Sequence, residues 1–412
     1  FFHAEDGIRD RSPSRGLGDV YKRQIRNVDF AGKTVLVRVD FNVPTRDGVI
    51  SDDSRIRAAI PTLRLLSNGG AKVVICSHFG RPDGQVVEEM RLQPIRKRLS
   101  EILKRPVLNA GGPNGTQPAK IISQLGTGDY ALLENLRFEP GEEQNDKGFS
   151  KYLASLADRF VNDAFGAAHR AHASTTGIAE HIPTYAGLLM EREITMLGRS
   201  LEGSTHATVA IIGGAKVADK IQVLRHLSKK VDTILIGGGM VAAFYLAQNN
   251  PGGATVIAEA DRLAAVEVLN GGGAKVVLPS DVITASEFSK SSTPSLRESN
   301  NVPDDELILD IGPRSCKEYA QVISGAERII WNGPMGVFEW PAFANGSIAV
   351  ANAVAANSKS ISVVGGGSTA EVIGSLDLED EITHVSTGGG ASLEFLEGKT
   401  LPGVEALDDD AD

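Results

Sequence analysis

The chain has 412 residues, enough for two or three domains, and its 42% hydrophobic and 23% charged residues are the make-up of a soluble globular protein. A formal net charge of −10 argues against nonspecific nucleic-acid binding, which rests on a basic field. No apolar stretch approaches the ~20 residues that span a bilayer, none reads as a signal segment, and the two cysteines, Cys76 and Cys316, form no metal-type cluster and fit a reducing compartment.

Residues 1–24 mix Arg, Asp, Ser and Gly with no period of 2 or 3.6. They are expected to lie outside the fold, as a disordered arm or a remnant foreign to the native protein. From Lys33 onward, strand-length apolar runs alternate with amphipathic helical stretches. Strands are expected at Thr34–Val39, Lys72–Cys76, Val107–Leu108, Tyr130–Leu133 and Arg159–Asn162, with helical patterns over Asp53–Leu66, Leu92–Leu103 and Phe149–Leu156. Strands separated by helices imply βαβ units, hence an α/β fold with parallel sheets. Tyr185–Leu201 reads as a long helix joining two similar halves; one more surface helix is the alternative. Further strands follow at Thr208–Ile212, Thr233–Ile236, Lys275–Leu278, Arg328–Trp331, Ser360–Val364 and His384–Ser386.

Most strands of the second half end in glycine: Gly213–Gly214, Gly237–Gly239, Gly365–Gly367, Gly388–Gly390, and Asn332-Gly333-Pro334. In open α/β sheets, ligands bind beyond the carboxyl ends of the strands. A glycine turn there lets backbone approach an anion, and the next helix offers free N–H groups and a partial positive charge. One such turn is a plain connection as readily as a site; several on one sheet edge point to nucleotide or phosphate. Gly213-Gly214-Ala215-Lys216-Val217-Ala218-Asp219-Lys220 has neither the P-loop spacing nor GxGxxG. Lys216 and Lys220 are expected on one face at a helix start, where they neutralise phosphates or form a solvated face.

The first half places Arg38, Asp40, Asn42, His78, Arg81, Arg137 and Arg170 where strands end, and Arg55 at a helix start. Any one of these arginines reads equally as a structural salt bridge. Gathered at one edge they would repel each other without an anion, and the guanidinium fork suits phosphate and carboxylate. His169 and His172 have metal-ligand spacing but no carboxylate or cysteine to complete a site, so anion binding or plain structure is expected of them.

RVDFNVP at Arg38–Pro44, SHFGRPDG at Ser77–Gly84, ENLRF at Glu134–Phe138 and NDAFGAAHRAHAS at Asn162–Ser174 resemble the phosphoglycerate kinase family in order and spacing. So do GGAKVADKI at Gly213–Ile221, WNGPMGVFE at Trp331–Glu339 and THVSTGGGASLEFLEGK at Thr383–Lys399. The resemblance runs from about Ile25 to Leu407 and implies two Rossmann-like domains joined by an interdomain helix, with a cleft between them. The implied division is 25–184 for a phosphoglycerate-binding domain, 185–201 for the helix, 202–395 for a nucleotide-binding domain, and 396–412 for a tail packing back toward the first domain.

The resemblance further implies reversible phosphoryl transfer between 1,3-bisphosphoglycerate and ADP, giving 3-phosphoglycerate and ATP, as in glycolysis and gluconeogenesis. Asp40, Phe41, Asn42, Arg55, His78, Phe79, Gly80, Arg81, Arg137 and Arg170 would bind the acid. Gly214, Lys216, Lys220, Gly237, Gly238, Gly312, Asn332, Glu339, Gly365, Gly366, Gly367, Ser368 and Thr369 would bind the nucleotide with its Mg2+. Arg55 and Lys216, with backbone donors at Gly366 and Gly389, would meet the transferring phosphoryl. Where many members carry Asp beside the magnesium, this chain has Ser368, a neutral and weaker ligand. A cytoplasmic monomer without nucleic-acid or membrane partners is expected. The rival readings are a dinucleotide-dependent dehydrogenase, disfavoured by the absent GxGxxG, and a binding protein that lost catalysis, disfavoured by Arg55, Lys216, Lys220 and Glu339.

Overall fold

The computed structural model describes residues 22–46, 48–201 and 207–409. Residues 1–21 lie outside these, but Lys22–Gln24, expected to be extraneous, join the fold. Lys22 bridges to Asp409 and Gln24 to Ala186, and the Lys22 ammonium donates to Leu407 O and Asp409 Oδ1, each at 2.8 Å. These partners lie far off in sequence, near the middle of the chain and at its other end, so no local period announces them.

In the first half, β1 (Thr34–Arg38), β2 (Lys72–Cys76), β3 (Val107–Gly111), β4 (Tyr130–Leu133), β5 (Arg159–Asn162) and β6 (Thr184–Ala186) form one parallel sheet in the order β3-β4-β2-β1-β5-β6. Val35, Val37, Leu36, Val73, Val74 and Ile75 are all buried. Burial on both faces makes the central strands continuous apolar runs.

The second half repeats the plan with β7 (Thr208–Ile212), β8 (Thr233–Ile236), β9 (Lys275–Val277), β13 (Arg328–Asn332), β14 (Ile361–Gly365) and β15 (His384–Val385), ordered β9-β8-β7-β13-β14-β15. Between them β10 (Asp281–Ala285), β11 (Ser295–Glu298) and β12 (Leu307–Ile311) make a small antiparallel sheet, ordered β11-β10-β12, that the sequence did not announce. The edge strand β11, SLRE, is half polar and carries too weak an apolar run to stand out.

The joining helix also begins later than expected. Tyr185 and Ala186 belong to β6, and the helix runs Leu188–Leu201. The buried Asp163 carboxylate, just past β5, accepts Leu189 N at 2.9 Å and Met190 N at 3.3 Å and so caps the helix. Farther along that helix, buried Glu193 accepts Ser386 Oγ at 2.7 Å and Thr387 N at 2.8 Å, and pairs with His384 Nε2 at 2.8 Å. The helix is thereby fastened to β15. The tail after Leu396 lies on first-half residues: Gly403 N donates to Ala168 O at 2.8 Å, and Thr184 N donates to Asp408 Oδ2 at 3.0 Å. No helix among the described residues is long and apolar enough to cross a membrane.

Candidate active site

The carboxyl edge of the first sheet gathers most of the expected basic pocket. Just past β1, Asp40 accepts Arg55 Nη1 at 2.8 Å, and Asn42 Oδ1 accepts Gly80 N at 3.0 Å. Arg137 Nη1 donates to Gly80 O at 2.7 Å, so the loops after β1, β2 and β4 are tied together at Gly80. Gly80 has φ +63, which calls for glycine; a Cβ there would lie 2.7 Å from Met90 Sδ, on a flexible side chain that could shift. His78 Nδ1 stands 3.9 Å from Asp40 Oδ1. Arg81 is exposed beside them on the same loop. Arg170 Nε donates to His169 Nε2 at 3.1 Å.

Phe41 and Phe79 are placed differently from the polar residues. Both side chains are buried in the core, and their backbones are held by Ser77 Oγ and by Asn135. They shape the loops from within the core.

The charge of this pocket resides on arginine. Burial, then Arg38 and Arg137, holds His78 well below the usual histidine range. The same causes push His172 down to about 3, and burial lowers His169. The imidazoles are therefore neutral near pH 7. Arg137, itself buried, is pushed down first by desolvation but pairs with Glu143 Oε1 at 3.0 Å.

Beneath the pocket lies a buried pair that motif reading did not single out. Arg38, 1% exposed, donates from Nε to Ser174 Oγ at 2.8 Å and from Nη1 to Val39 O, and its Nη2 lies 3.2 Å from His78 Nδ1. Ser174 donates in turn to Glu142, through Oγ at 2.5 Å and N at 3.0 Å. Glu142 is fully buried, and burial raises its pKa against the opposing pull of Arg38.

The second half presents its glycines at the carboxyl edge of the other sheet. The turns after β7, β8 and β13 touch each other: Gly213 N donates to Asn332 O at 3.0 Å and Gly238 N to Met335 O at 2.8 Å. A Cβ at Gly213 would collide with Pro334 O, and one at Gly238 with the Gly214 backbone, so these contacts admit no side chain. Lys220 runs back under this floor, donating to Asn332 O at 3.0 Å and Oδ1 at 2.5 Å. Burial pushes it down to about 8.

The paired-lysine expectation is corrected here. Residues 213–217 are not helical; a 3-10 turn, Ala218–Lys220, leads into a helix at Ile221. The two lysines accordingly differ in surroundings: Lys220 is partly buried on Asn332 and Lys216 is exposed. Lys216 lines a cavity of about 320 Å³ with Met240, Val256 and Ile257. Val256 there is 96% exposed.

Gly365 and Gly366 face the Asn332 amide, and Thr369 Oγ1 accepts Gly333 N at 2.7 Å, so Thr369 supports the turn from a buried position. Ser368 is exposed in the first turn of the helix Gly367–Ser375. Gly312 caps the helix Pro313–Ser324, and the exposed Glu339 follows the turn after β13. The last glycine turn meets the first half: a Cβ at Gly388 would lie 2.5 Å from the Phe165 ring, and one at Gly390 3.6 Å from His169 Nε2. Gly389, between them, has φ +53.

The arrangement is an arginine-rich edge on one sheet and a glycine-lined, lysine-bearing edge on the other, meeting at residues 165–169 and 387–390. It suits two anionic ligands, one on each side. The phosphoglycerate kinase family model matches residues 25–399. A phosphoglycerate kinase of Dictyoglomus turgidum is 49% identical over 388 residues, covering 93% of this chain and 98% of that protein. The phosphoglycerate kinase structure from Coxiella burnetii superposes with a TM-score of 0.85 at 38% identity, and that from Pyrococcus horikoshii OT3 with 0.82 at 34%, each covering 93% of this chain and 98% of its own.

Proposed function

The chain belongs to the phosphoglycerate kinase family, and from that premise we propose how its residues divide the work. It is a phosphotransferase with a carboxyl group as acceptor, moving a phosphoryl group reversibly between 1,3-bisphosphoglycerate and ADP to give 3-phosphoglycerate and ATP. In our reading, Asp40, Asn42, Arg55, His78, Arg81, Arg137 and Arg170 hold the acid. Lys216, Lys220, Glu339 and the turns at Gly213–Gly214, Gly237–Gly238, Gly312, Asn332 and Gly365–Thr369 hold the nucleotide. The observation that carries this division is the contrast in charge: neutral histidines among arginines on one edge, glycine backbone with two lysines on the other.

Both nucleophiles, a carboxylate in one direction and a phosphate oxygen in the other, are ionised near neutral pH, so no general base is needed. Catalysis then rests on positioning and charge stabilisation. Arg55 and Lys216 meet the transferring phosphoryl from opposite sides, and backbone donors at Gly366 and Gly389 add to them. The sites lie on separate sheets, so the halves close to bring the ligands in line, which also keeps water from the acyl phosphate. Small-angle scattering should show compaction only with both ligands bound; an unchanged radius of gyration would sink the closure.

Magnesium enters as part of the nucleotide substrate. Among the described residues no group of three or more His, Cys, Asp or Glu side chains is placed to hold an ion. The neutral hydroxyl of Ser368 is the side chain we assign nearest to it, leaving most ligands to phosphate oxygens and water. Ser368→Asp should therefore lower the magnesium concentration giving half-maximal turnover. An unchanged magnesium profile would remove Ser368 from the metal's surroundings.

Lys220 gives a pH test. Its pKa of about 8 in the free enzyme rises when phosphate binds beside it. Nucleotide binding should then take up a proton at pH 8.5 but not at pH 6.5, and affinity should fall as pH rises through 8. Calorimetry in buffers of different ionisation enthalpy reads the uptake; Lys220→Met should abolish it.

The reading also takes the enzyme to be a cytoplasmic monomer, a setting that suits its two free thiols. The deciding experiment is a coupled assay of 3-phosphoglycerate-dependent ATP consumption across a magnesium titration. Saturation at ordinary magnesium is expected. Nucleotide binding without turnover would overturn this division of residues in favour of a binding protein.

A further inference from the structure

Asp310 is a buried carboxylate that the reaction does not use. It lies in β12, is 1% exposed, and has no ion-pair partner among the described residues. Its acceptors are filled by two backbone donors, Gly346 N to Oδ2 at 2.8 Å and Ile311 N to Oδ1 at 2.9 Å. Burial still pushes its pKa up to about 7. A buried carboxylate without a counter-charge is destabilising even when hydrogen-bonded, so what it holds in place is informative.

What it holds is the segment after β13. Gly346 is in the first turn of the helix Asn345–Ala356, whose N-cap Ala344 offers no side-chain acceptor, so Asp310 caps that helix from a neighbouring strand. Neither Gly336 nor Gly346 leaves room for a Cβ against Asp310. The same segment is pinned twice more: Met335 N donates to Ser347 Oγ at 2.9 Å, and Val337 N to Leu309 O at 2.9 Å. Residues 333–344 thus form an arch with both feet on β12 or the helix it caps, and Glu339 is exposed on it. Two residues beyond Asp310 the strand delivers Gly312.

We propose that Asp310 is a positioning residue for the ribose and base half of the nucleotide site, fixing Glu339 relative to Gly312 without touching the nucleotide. The proposal rests on the nucleotide reading above, with Glu339 taken near the ribose and Gly312 at the border of the adenine. It predicts an effect confined to one half of one ligand. The first residues of the arch also touch the phosphate half, through Gly333 N, which donates to Thr369 Oγ1, and Met335 O, which accepts Gly238 N; Asp310 acts farther along, against Gly336 and Gly346, on the side that carries Glu339.

Asp310→Asn keeps the shape and one acceptor but turns an amide N–H toward one of the two backbone donors. Binding of ADP should weaken about tenfold, the order expected for one charge-assisted hydrogen bond. Inorganic tripolyphosphate, which lacks ribose and base, should bind as it does to the parent. In turnover, KM for ADP should rise while kcat and KM for 1,3-bisphosphoglycerate stay within about twofold. Equal weakening of ADP and tripolyphosphate would mean that Asp310 holds the whole domain, and overturns the proposal, as does no change in either. Should Asp310→Asn not fold, Asp310→Ser, smaller and still an acceptor, is read on the same two ligands. Glu339→Ala separates the premise from the inference. If that variant binds ADP normally, the nucleotide assignment fails; if it weakens ADP while Asp310→Asn does not, only the role of Asp310 fails.

Discussion

Arg55→Ala should slow turnover by about 10³ to 10⁵, the range for a guanidinium that stabilises a transferring phosphoryl group, with ADP affinity nearly unchanged. Arg55 sits in the first turn of the helix Ser54–Asn68, and only Nη1 is engaged among the described residues, with Asp40 Oδ2 at 2.8 Å and Asn42 O at 3.4 Å. The rest of its fork is free for an anion. The helix start is steadied by other groups: Asp53 accepts Arg57 Nε at 2.7 Å and Arg98 Nη2 at 2.7 Å. Truncation of Arg55, about a third exposed at 32%, should therefore leave the fold intact and act on the chemistry. Arg55→Lys should fall between, because an ammonium keeps the charge but loses the planar fork. Steady-state kcat with a parallel ADP titration decides it. A loss below tenfold in Arg55→Ala would remove the residue from the transfer step.

The second large effect is on stability. Arg38→Met should destabilise the enzyme by about 3–5 kcal/mol, the cost of leaving one partner of a buried charge pair alone. The partner is Glu142, reached through Ser174. Without Arg38, Glu142 keeps the full penalty of burial. Its pKa, already raised above the ordinary 4.5, then rises further. A group whose folded pKa lies above its unfolded one loses stability as pH rises from the unfolded value toward the folded one. The defect should accordingly be larger at pH 8 than at pH 5, and Arg38→Met/Glu142→Gln should recover part of it. Urea unfolding at the two pH values measures both. A pH-independent loss below 1 kcal/mol would mean that Arg38 and Glu142 are not coupled.

Much of this molecule is local and therefore readable along the chain. β1, β2, β7 and β8 are apolar runs because they are buried on both faces, and their ends carry the glycines and arginines that we assign to ligands. Gly80 and Gly238 are local in another sense, since their φ of +63 and +70 favours glycine, whereas Gly213 is required by Pro334, distant in sequence. Length, alternation and the motif strings determined the α/β class, the two sheets and the family.

Tertiary structure decided what depends on partners distant in sequence. Lys216 and Lys220, four residues apart, do not share a helix face because a non-helical turn separates them: Lys216 is exposed, and Lys220 is drawn under Asn332. Lys22 belongs to the fold only because the chain's other end comes to it. Arg38 looked like a ligand for anions and is instead enclosed with Ser174 and Glu142, while Asp310 stood in a plain strand and proves to cap a helix begun at Asn345. Periodicity records which face of an element is covered. It does not record which buried polar group answers another, because that pairing is set by three-dimensional proximity and the cost of leaving either group unsatisfied in a low-dielectric interior.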